Sequence, residues 1–305
     1  MEYVALMRPS HWSKSLIAVP IGPTLMLLDG DANRLLALVG AVVMFSLASG
    51  AVYVINDLSD MEKDRLHPTK RYRPLASGAV SPRGAVGLIT MLAVLMIGLA
   101  VALPPLISAI VSLYIACNLT YSLRLKNVPI VEMLLVATGF ALRACAGYVA
   151  FEAVPDAWVI ATVFSGSLLL TVGKRREEMQ RLSRSAEHRP VLAHYSAPLL
   201  DVYMQIAAAA ALGSFLAALM RIVNAADLRM LFFVSLPFAI YLFLRYLMVA
   251  LAGSGAENPT RLLLSDRAMH CALIACATAI GLATTFENAD LLNGIFAFET
   301  MEKQS

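Results

Sequence analysis

The run from Leu35 to Asp64, LLALVGAVVMFSLASGAVYVINDLSDMEKD, decides the fold. No charged residue occurs from Leu35 to Asn56, which is the length of roughly 20 apolar residues that a helix needs to cross a bilayer. Charge then returns at once as Asp57, Asp60, Glu62, Lys63 and Asp64, so this span leaves the membrane on acids. The pattern recurs along the chain. Gly84 to Leu123 is charge-free and interrupted at Pro104-Pro105, which predicts a tight turn between two spans. Ile130–Ala150, Ala157–Gly173, Val202–Met220, Met230–Leu251 and Ala268–Phe286 are further candidates, with a shorter one at Ser15–Leu28. The expected architecture is therefore all-α: a polytopic membrane protein of nine transmembrane helices. Residues 1–14 mix Tyr3, Val4, Leu6, Met7 and Trp12 with Arg8, His11 and Lys14, which reads as an interfacial amphipathic helix ahead of the first span.

Composition agrees. Of 305 residues 59% are hydrophobic and 15% charged, with a mean hydropathy of +0.72; soluble domains carry about 45–50% apolar and about 25% charged residues. A water-soluble globule is excluded, and the net charge of +3 gives no reason to expect a nucleic-acid partner. Alternating sides over nine spans puts most lysines and arginines with the N-terminus, leaving Arg34, Arg221, Arg229 and Lys303 opposite. That asymmetry predicts a plasma-membrane (inner-membrane) protein with its N-terminus and long polar segments, 57–83 and 174–198, in the cytoplasm. Arg143 and Arg245 fall inside spans. No basic leader with a cleavage site opens the chain, so the first apolar segment is expected to be retained. Cys117, Cys145, Cys271 and Cys276 show no CxxC pair and read as buried small hydrophobes. No repeat is visible, so 1–305 is taken as one domain.

The first polar segment carries the chemistry. At 100° per residue Asp57, Asp60 and Asp64 share one helical face and Glu62 points away. Three converging carboxylates repel one another unless a cation joins them, and oxygen ligands suit Mg²⁺, which completes its shell with water and substrate phosphates. The alternative is a solvated helix end with decorative acids. His67-Pro68-Thr69-Lys70-Arg71-Tyr72-Arg73-Pro74 follows directly: cations beside carboxylates suit a metal-bridged diphosphate, with Lys70 and Arg73 on its remaining oxygens. Asp57 and Asp60 are expected at a wet helix end, outside the packed bundle.

These residues resemble the UbiA superfamily of intramembrane transferases. Asn56, Asp57, Asp60 and Asp64 match its NDxxDxxxD signature, and Arg73-Pro74-Leu75-Ala76-Ser77-Gly78 matches the stretch that follows it. The resemblance implies helices ringed around a central cavity open to the cytoplasm and to lipid. Prenyl-transferring members carry a second aspartate-rich motif where this chain has Gly173-Lys174-Arg175-Arg176-Glu177-Glu178. Cations there suit a donor with a second, distant phosphate, as in phosphoribosyl pyrophosphate, although a positive anchor at a span end remains an alternative. His67-Pro68-Thr69-Lys70 with Arg73-Pro74, and Gly173-Lys174-Arg175, look like the decaprenyl-phosphate phosphoribosyltransferase branch of the family. That likeness implies Mg²⁺-dependent transfer of 5-phosphoribose to a polyprenyl phosphate, with Lys174 and Arg175 binding substrate. Tyr121 and Lys126 resemble a YxxxxK phosphate-binding element, or are an interfacial tyrosine and a topology lysine. Arg143 lies on the face of Glu132, eleven residues on, and is expected to meet either the Glu132 side of its helix or a lipid phosphate; a structural ion pair is nearly as good a reading. For Arg245 snorkelling to the interface or structural pairing is expected. The competing function is transfer of a prenyl group from its diphosphate to an aromatic or other small acceptor; a transporter or a structural membrane protein is a third class, disfavoured because the polar residues crowd one surface. Oligomeric state is not indicated.

Overall fold

Asp31 opens the first long helix: its side chain accepts the Arg34 N–H at 2.8 Å, satisfying one of the free donors of a helix start. The helix, α4, runs Ala32–Ser59. At 28 residues it is about 42 Å long, more than a hydrocarbon core of about 30 Å, so its last turns emerge carrying Asn56 and Asp57. The computed structural model describes residues 2–25, 31–67, 69–181, 190–225, 229–252 and 266–278. Among these the chain is helical, with α1 Glu2–Leu6, α2 Ser13–Ala18, α3 Ile21–Leu25, α5 Met61–Leu66, α6 Pro82–Ala102, α7 Pro105–Leu123, α8 Val131–Ala150, α9 Ala157–Arg181, α10 Ala197–Ala225, α11 Arg229–Leu251 and α12 at residues 267–278.

Seven of these helices, α4 and α6 through α11, are long and apolar enough to cross a membrane. The prolines break α6 from α7 as expected, with Pro105 at the N-terminal position that needs no N–H donor. One of the nine expected spans differs over its described residues, 15–25, and another lies partly outside the described residues. Ser15–Leu28 is not one continuous helix: α2 and α3 are separated around Pro20, and Pro23 deprives the Val19 carbonyl of its usual donor. That carbonyl lies so close to α8 that a Cβ on Gly147 would stand 1.8 Å from it, so only glycine admits the broken segment there. Of Ala268–Phe286, the part to residue 278 is helical and 279–286 lies outside the described residues.

Both polar segments contain helix among their described residues. Residues 57–59 finish α4, α5 follows after a break at Asp60, and Lys70–Tyr72 forms one 3-10 turn. At the second segment α9 continues through Lys174 to Arg181, a run of good helix formers with an Arg175–Glu178 pair one turn apart. Residues 1–14 do not form a single amphipathic helix either. α1 ends at Leu6, before Pro9, which disfavours a right-handed helical residue ahead of it, and Arg8 takes a left-handed backbone with φ 50°.

Tertiary contacts divide the chain into two units, the first ending at Pro155 and the second beginning at Asp156. In the first unit Val19, Phe45, Ile107, Val111, Tyr114 and Ala146 pack α2, α4, α7 and α8 together. A second cluster places Leu6, Val54, Leu75, Val80 and Leu88 in contact. It buries the chain after Arg73 beneath the end of α4; Gly78 turns it with φ 82°, and Ser81 caps α6 through Gly84 N–H. In the second unit, Asp156 accepts the Trp158 and Val159 N–H groups at the start of α9 and pairs with Arg221 at 2.6 Å. Asp266 does the same for α12 through Ala268 and Met269, and its other oxygen binds Arg245 at 3.0 Å. Arg245 is thus a structural pair, as expected. Of the cysteines, Cys276 is buried, Cys117 and Cys145 are half-buried, and Cys271 corrects the expectation by lying exposed on α12 among Leu273 and Ile274.

Candidate active site

The three aspartates of the first motif do not meet one another at a wet helix end. Asp57 and Asp64 are both 3% exposed. Each buried carboxylate is matched by a cation from elsewhere in the first unit, as burial demands. Arg73 Nη1 donates to Asp57 Oδ1 at 3.1 Å and to Asp64 Oδ2 at 2.7 Å, so one guanidinium nitrogen lies between two carboxylates. Arg8 Nη2 donates to the same Asp57 oxygen at 2.6 Å, its guanidinium stacked 4.7 Å from the centre of the Tyr53 ring. Asp60, at the break between α4 and α5, faces Lys126 Nζ at 3.5 Å. Glu62 is turned away and pairs with Arg65.

The expectation of three convergent metal ligands is thereby reduced. Among the described residues no group of three or more acidic, histidine or cysteine side chains is placed to hold a metal ion. Two carboxylates do share one cation position, and Mg²⁺ needs no more than one or two from the protein when phosphates complete its shell. The donor set fits the ion at Asp57 and Asp64, with Asp60 held apart by Lys126.

Around this centre, Asn56 is half-buried and its carbonyl accepts the Asp60 N–H at 2.9 Å. Lys70 begins the 3-10 turn; His67 Nδ1 accepts the backbone N–H groups of Thr69 and Lys70 at 3.2 and 3.3 Å, which makes His67 the cap of that turn. Lys70 itself has no ion-pair partner among the described residues. Tyr121, in the last turn of α7, is half-buried.

Deeper in the first unit, Arg143 is 5% exposed. Its Nε donates to Ser15 at 3.2 Å, its Nη1 to the Gly139 carbonyl at 2.8 Å, and its Nη2 to Ser49 at 3.0 Å and Tyr114 at 2.8 Å. The rings of Tyr114, Phe45 and Phe140 lie 4.5, 5.5 and 5.6 Å from its guanidinium carbon. Four of five donors are satisfied, and no carboxylate pairs with it among the described residues. The expected approach to Glu132 fails because a helical side chain folds back over its own preceding turn, whereas Glu132 stands about 16 Å away along α8.

In the second unit, Lys174 is exposed and has no ion-pair partner among the described residues. Its neighbours are committed: Arg175 donates to Glu178 at 2.8 Å, and Arg176 binds Asp201 and the carbonyls of Ala250 and Leu251 at the end of α11. Arg176 therefore caps a helix C-terminus, where cations are favoured.

Sequence reasoning missed Arg8, which it left on an interfacial helix; the Arg-Pro dipeptide signalled a break there but not its target. It also missed Ser15, Ser49 and Tyr114, hydroxyls that no motif marks.

A helical membrane protein whose first long span emerges onto acids neutralised by distant cations is the architecture of an intramembrane enzyme. The sequence pattern of the UbiA prenyltransferase family matches residues 15–285, and the chain belongs to that family. It is 32% identical to the decaprenyl-phosphate phosphoribosyltransferase of Mycolicibacterium smegmatis, over 93% of this chain and 92% of that one. It is also 32% identical to the decaprenyl-phosphate phosphoribosyltransferase of Mycobacterium tuberculosis, over 93% of this chain and 94% of the other. In structure it is similar to a UbiA homolog from Archaeoglobus fulgidus bound to GPP and Mg²⁺, with a TM-score of 0.68 and 16% identity, covering 94% of this chain and all of that one.

Proposed function

We propose that the protein transfers 5-phosphoribose from phosphoribosyl pyrophosphate to a polyprenyl phosphate of the decaprenyl type, releasing diphosphate. The observation that carries this reading is the cation position shared by Asp57 and Asp64 in a chain whose named relatives, alike over nearly its whole length, are decaprenyl-phosphate phosphoribosyltransferases. The family match runs through both units, which supports treating residues 1–305 as one functional domain.

In this reading Asp57 and Asp64 would hold Mg²⁺, which when bound supplies charge neutralisation of the departing diphosphate, while Asp60 stays paired with Lys126. Lys70 and Arg73 bind diphosphate oxygens, with Lys126, Asn56 and Tyr121 shaping the polar surroundings. Lys174 binds the donor through its 5-phosphate, and Arg175, expected from the motif to share that contact, is held by Glu178 and braces the same turn of α9. Arg143, a buried cation without an acidic partner among the described residues, receives the acceptor phosphate. That phosphate is ionised at neutral pH, since its second pKa lies near 6. Its oxygen attacks ribose C1 as the C1–O bond to diphosphate breaks, the electron pair leaving with diphosphate, through an oxocarbenium-like transition state. No general base is required. The apolar acceptor chain lies in the bilayer, and the catalytic segments face the cytoplasm.

The test is to incubate membranes containing the protein with labelled phosphoribosyl pyrophosphate and decaprenyl phosphate. Labelled lipid that disappears on metal chelation is expected. No labelled lipid, with prenyl transfer from a polyprenyl diphosphate to an aromatic acceptor instead, overturns the reading.

A further inference from the structure

The acids of the first motif are met by more than the loop that follows them. Arg8 reaches Asp57 from forty-nine residues away, and it does so from a left-handed backbone, a conformation that a non-glycine residue adopts at a cost. Leu6, 1% exposed within the cluster that also holds Leu75 and Val80, anchors the segment on one side, and the Tyr53 ring supports the guanidinium itself. Together Arg8 and Arg73 place two positive charges on the two buried negative charges of Asp57 and Asp64. The guanidinium side chains are 27% and 31% exposed while the carboxylates they bind are 4% and 5% exposed, so each arginine has an aqueous side from which to meet another anion.

We propose that Arg8 and Arg73 compete with the divalent ion for the oxygens of Asp57 and Asp64, and that diphosphate relieves this competition by giving the guanidiniums new partners. A metal ion entering alone adds two positive charges to a cluster already neutral, in surroundings where unbalanced charge is costly. A metal ion entering with diphosphate brings its own compensating anion. Metal and diphosphate therefore bind as a coupled pair, and Arg8 is a positioning residue that acts through Asp57. The coupling makes the site select the metal-diphosphate complex over free metal, a property of the first unit alone. This inference rests on the proposed metal site, and its test separates the two.

Retention of radiolabelled Mn²⁺ by the full-length protein in detergent is measured at fixed free Mn²⁺, set with a metal buffer, with and without inorganic pyrophosphate, against a micelle blank. For the wild type, pyrophosphate is expected to raise apparent Mn²⁺ affinity about tenfold or more, within the usual range of coupling between sites. Arg8→Gly removes the guanidinium while adopting the left-handed backbone freely; it is expected to bind Mn²⁺ alone more tightly and to lose most of the pyrophosphate enhancement. Arg8→Gln keeps the side chain's length without its charge and is expected to behave the same way, whereas Arg8→Lys restores most of the coupling. Mn²⁺ bound equally well with and without pyrophosphate by the wild type, or coupling unchanged in both Arg8→Gly and Arg8→Gln, overturns the inference while leaving the metal site intact. No retained Mn²⁺ under either condition overturns the metal site and the inference together.

Discussion

At the end of α4 every aspartate that the sequence lines up is answered by a cation from a distant segment: Asp57 by Arg8 and Arg73, Asp64 by Arg73, Asp60 by Lys126. At the end of α9 the traffic runs the other way. Arg175 is held by Glu178 one turn along, and Arg176 is spent on Asp201 and on the last carbonyls of α11, which leaves Lys174 exposed. The two polar helix ends differ in sequence by the sign of the charge that leads them, acids at one and cations at the other. Tertiary pairing makes one a buried, neutral cluster and turns most of the other into scaffolding.

The comparison breaks most sharply at Asp57 and Asp64. Asp57→Asn or Asp64→Asn is expected to lower metal-dependent transfer about a hundredfold or more, read from labelled lipid formed per unit of folded protein. Because these side chains are buried, some loss of thermal stability accompanies the change; full activity in both variants ends the metal assignment. Next in size is Arg176→Ala, which removes one partner of a largely buried pair. It is expected to cost about 2–3 kcal/mol, less than a fully buried pair because Asp201 keeps contact with solvent, and to show as a lower melting temperature in detergent. Lys174→Ala sharpens the contrast two residues away: the apparent donor affinity falls about tenfold, as for one charge-assisted hydrogen bond, while the melting temperature stays put. Equal melting losses in the two variants would erase the distinction between scaffold and site.

The smallest effect belongs to Asp266. The Met269 N–H, first among its contacts, and the Arg245 guanidinium hold its carboxyl below the usual carboxylate range. A lowered folded-state pKa contributes stability above the unfolded value, and that contribution disappears as pH falls through the folded one. Asp266→Ala should therefore cost about 1 kcal/mol at neutral pH, the typical worth of a helix cap, and the difference from wild type should close below about pH 4. A difference that persists unchanged at acid pH would mean packing, not the ionised cap, is responsible.

Much of the fold was legible because a bilayer imposes a length on apolar runs. The break at Pro104-Pro105, the emergence of α4 onto acids and the outward turn of Glu62 all follow from local spacing. Ser15–Leu28 misled because hydropathy counts residues without asking whether Pro20 and Pro23 leave the backbone a hydrogen-bond ladder. Lys174 to Arg181 falls past the expected span because charge ends the apolar run at Gly173, yet charged residues with one-turn pairing propagate a helix well. Of the candidate site residues, Lys126 and Arg73 were found from the motif and lie on its aspartates. Arg8 was not, because its role depends on a backbone turn that brings the chain's start onto a carboxylate forty-nine residues later.

The sequence by itself determined that this is a helical membrane protein of the UbiA type and which acids begin its site, since burial in lipid and periodicity along one helix are local properties of the chain. Which cations neutralise those acids, and which basic residues are scaffold, was decided by tertiary structure. Pairing between charges depends on distances between segments remote in sequence, and a buried charge accepts whichever partner the packing brings within a few ångströms.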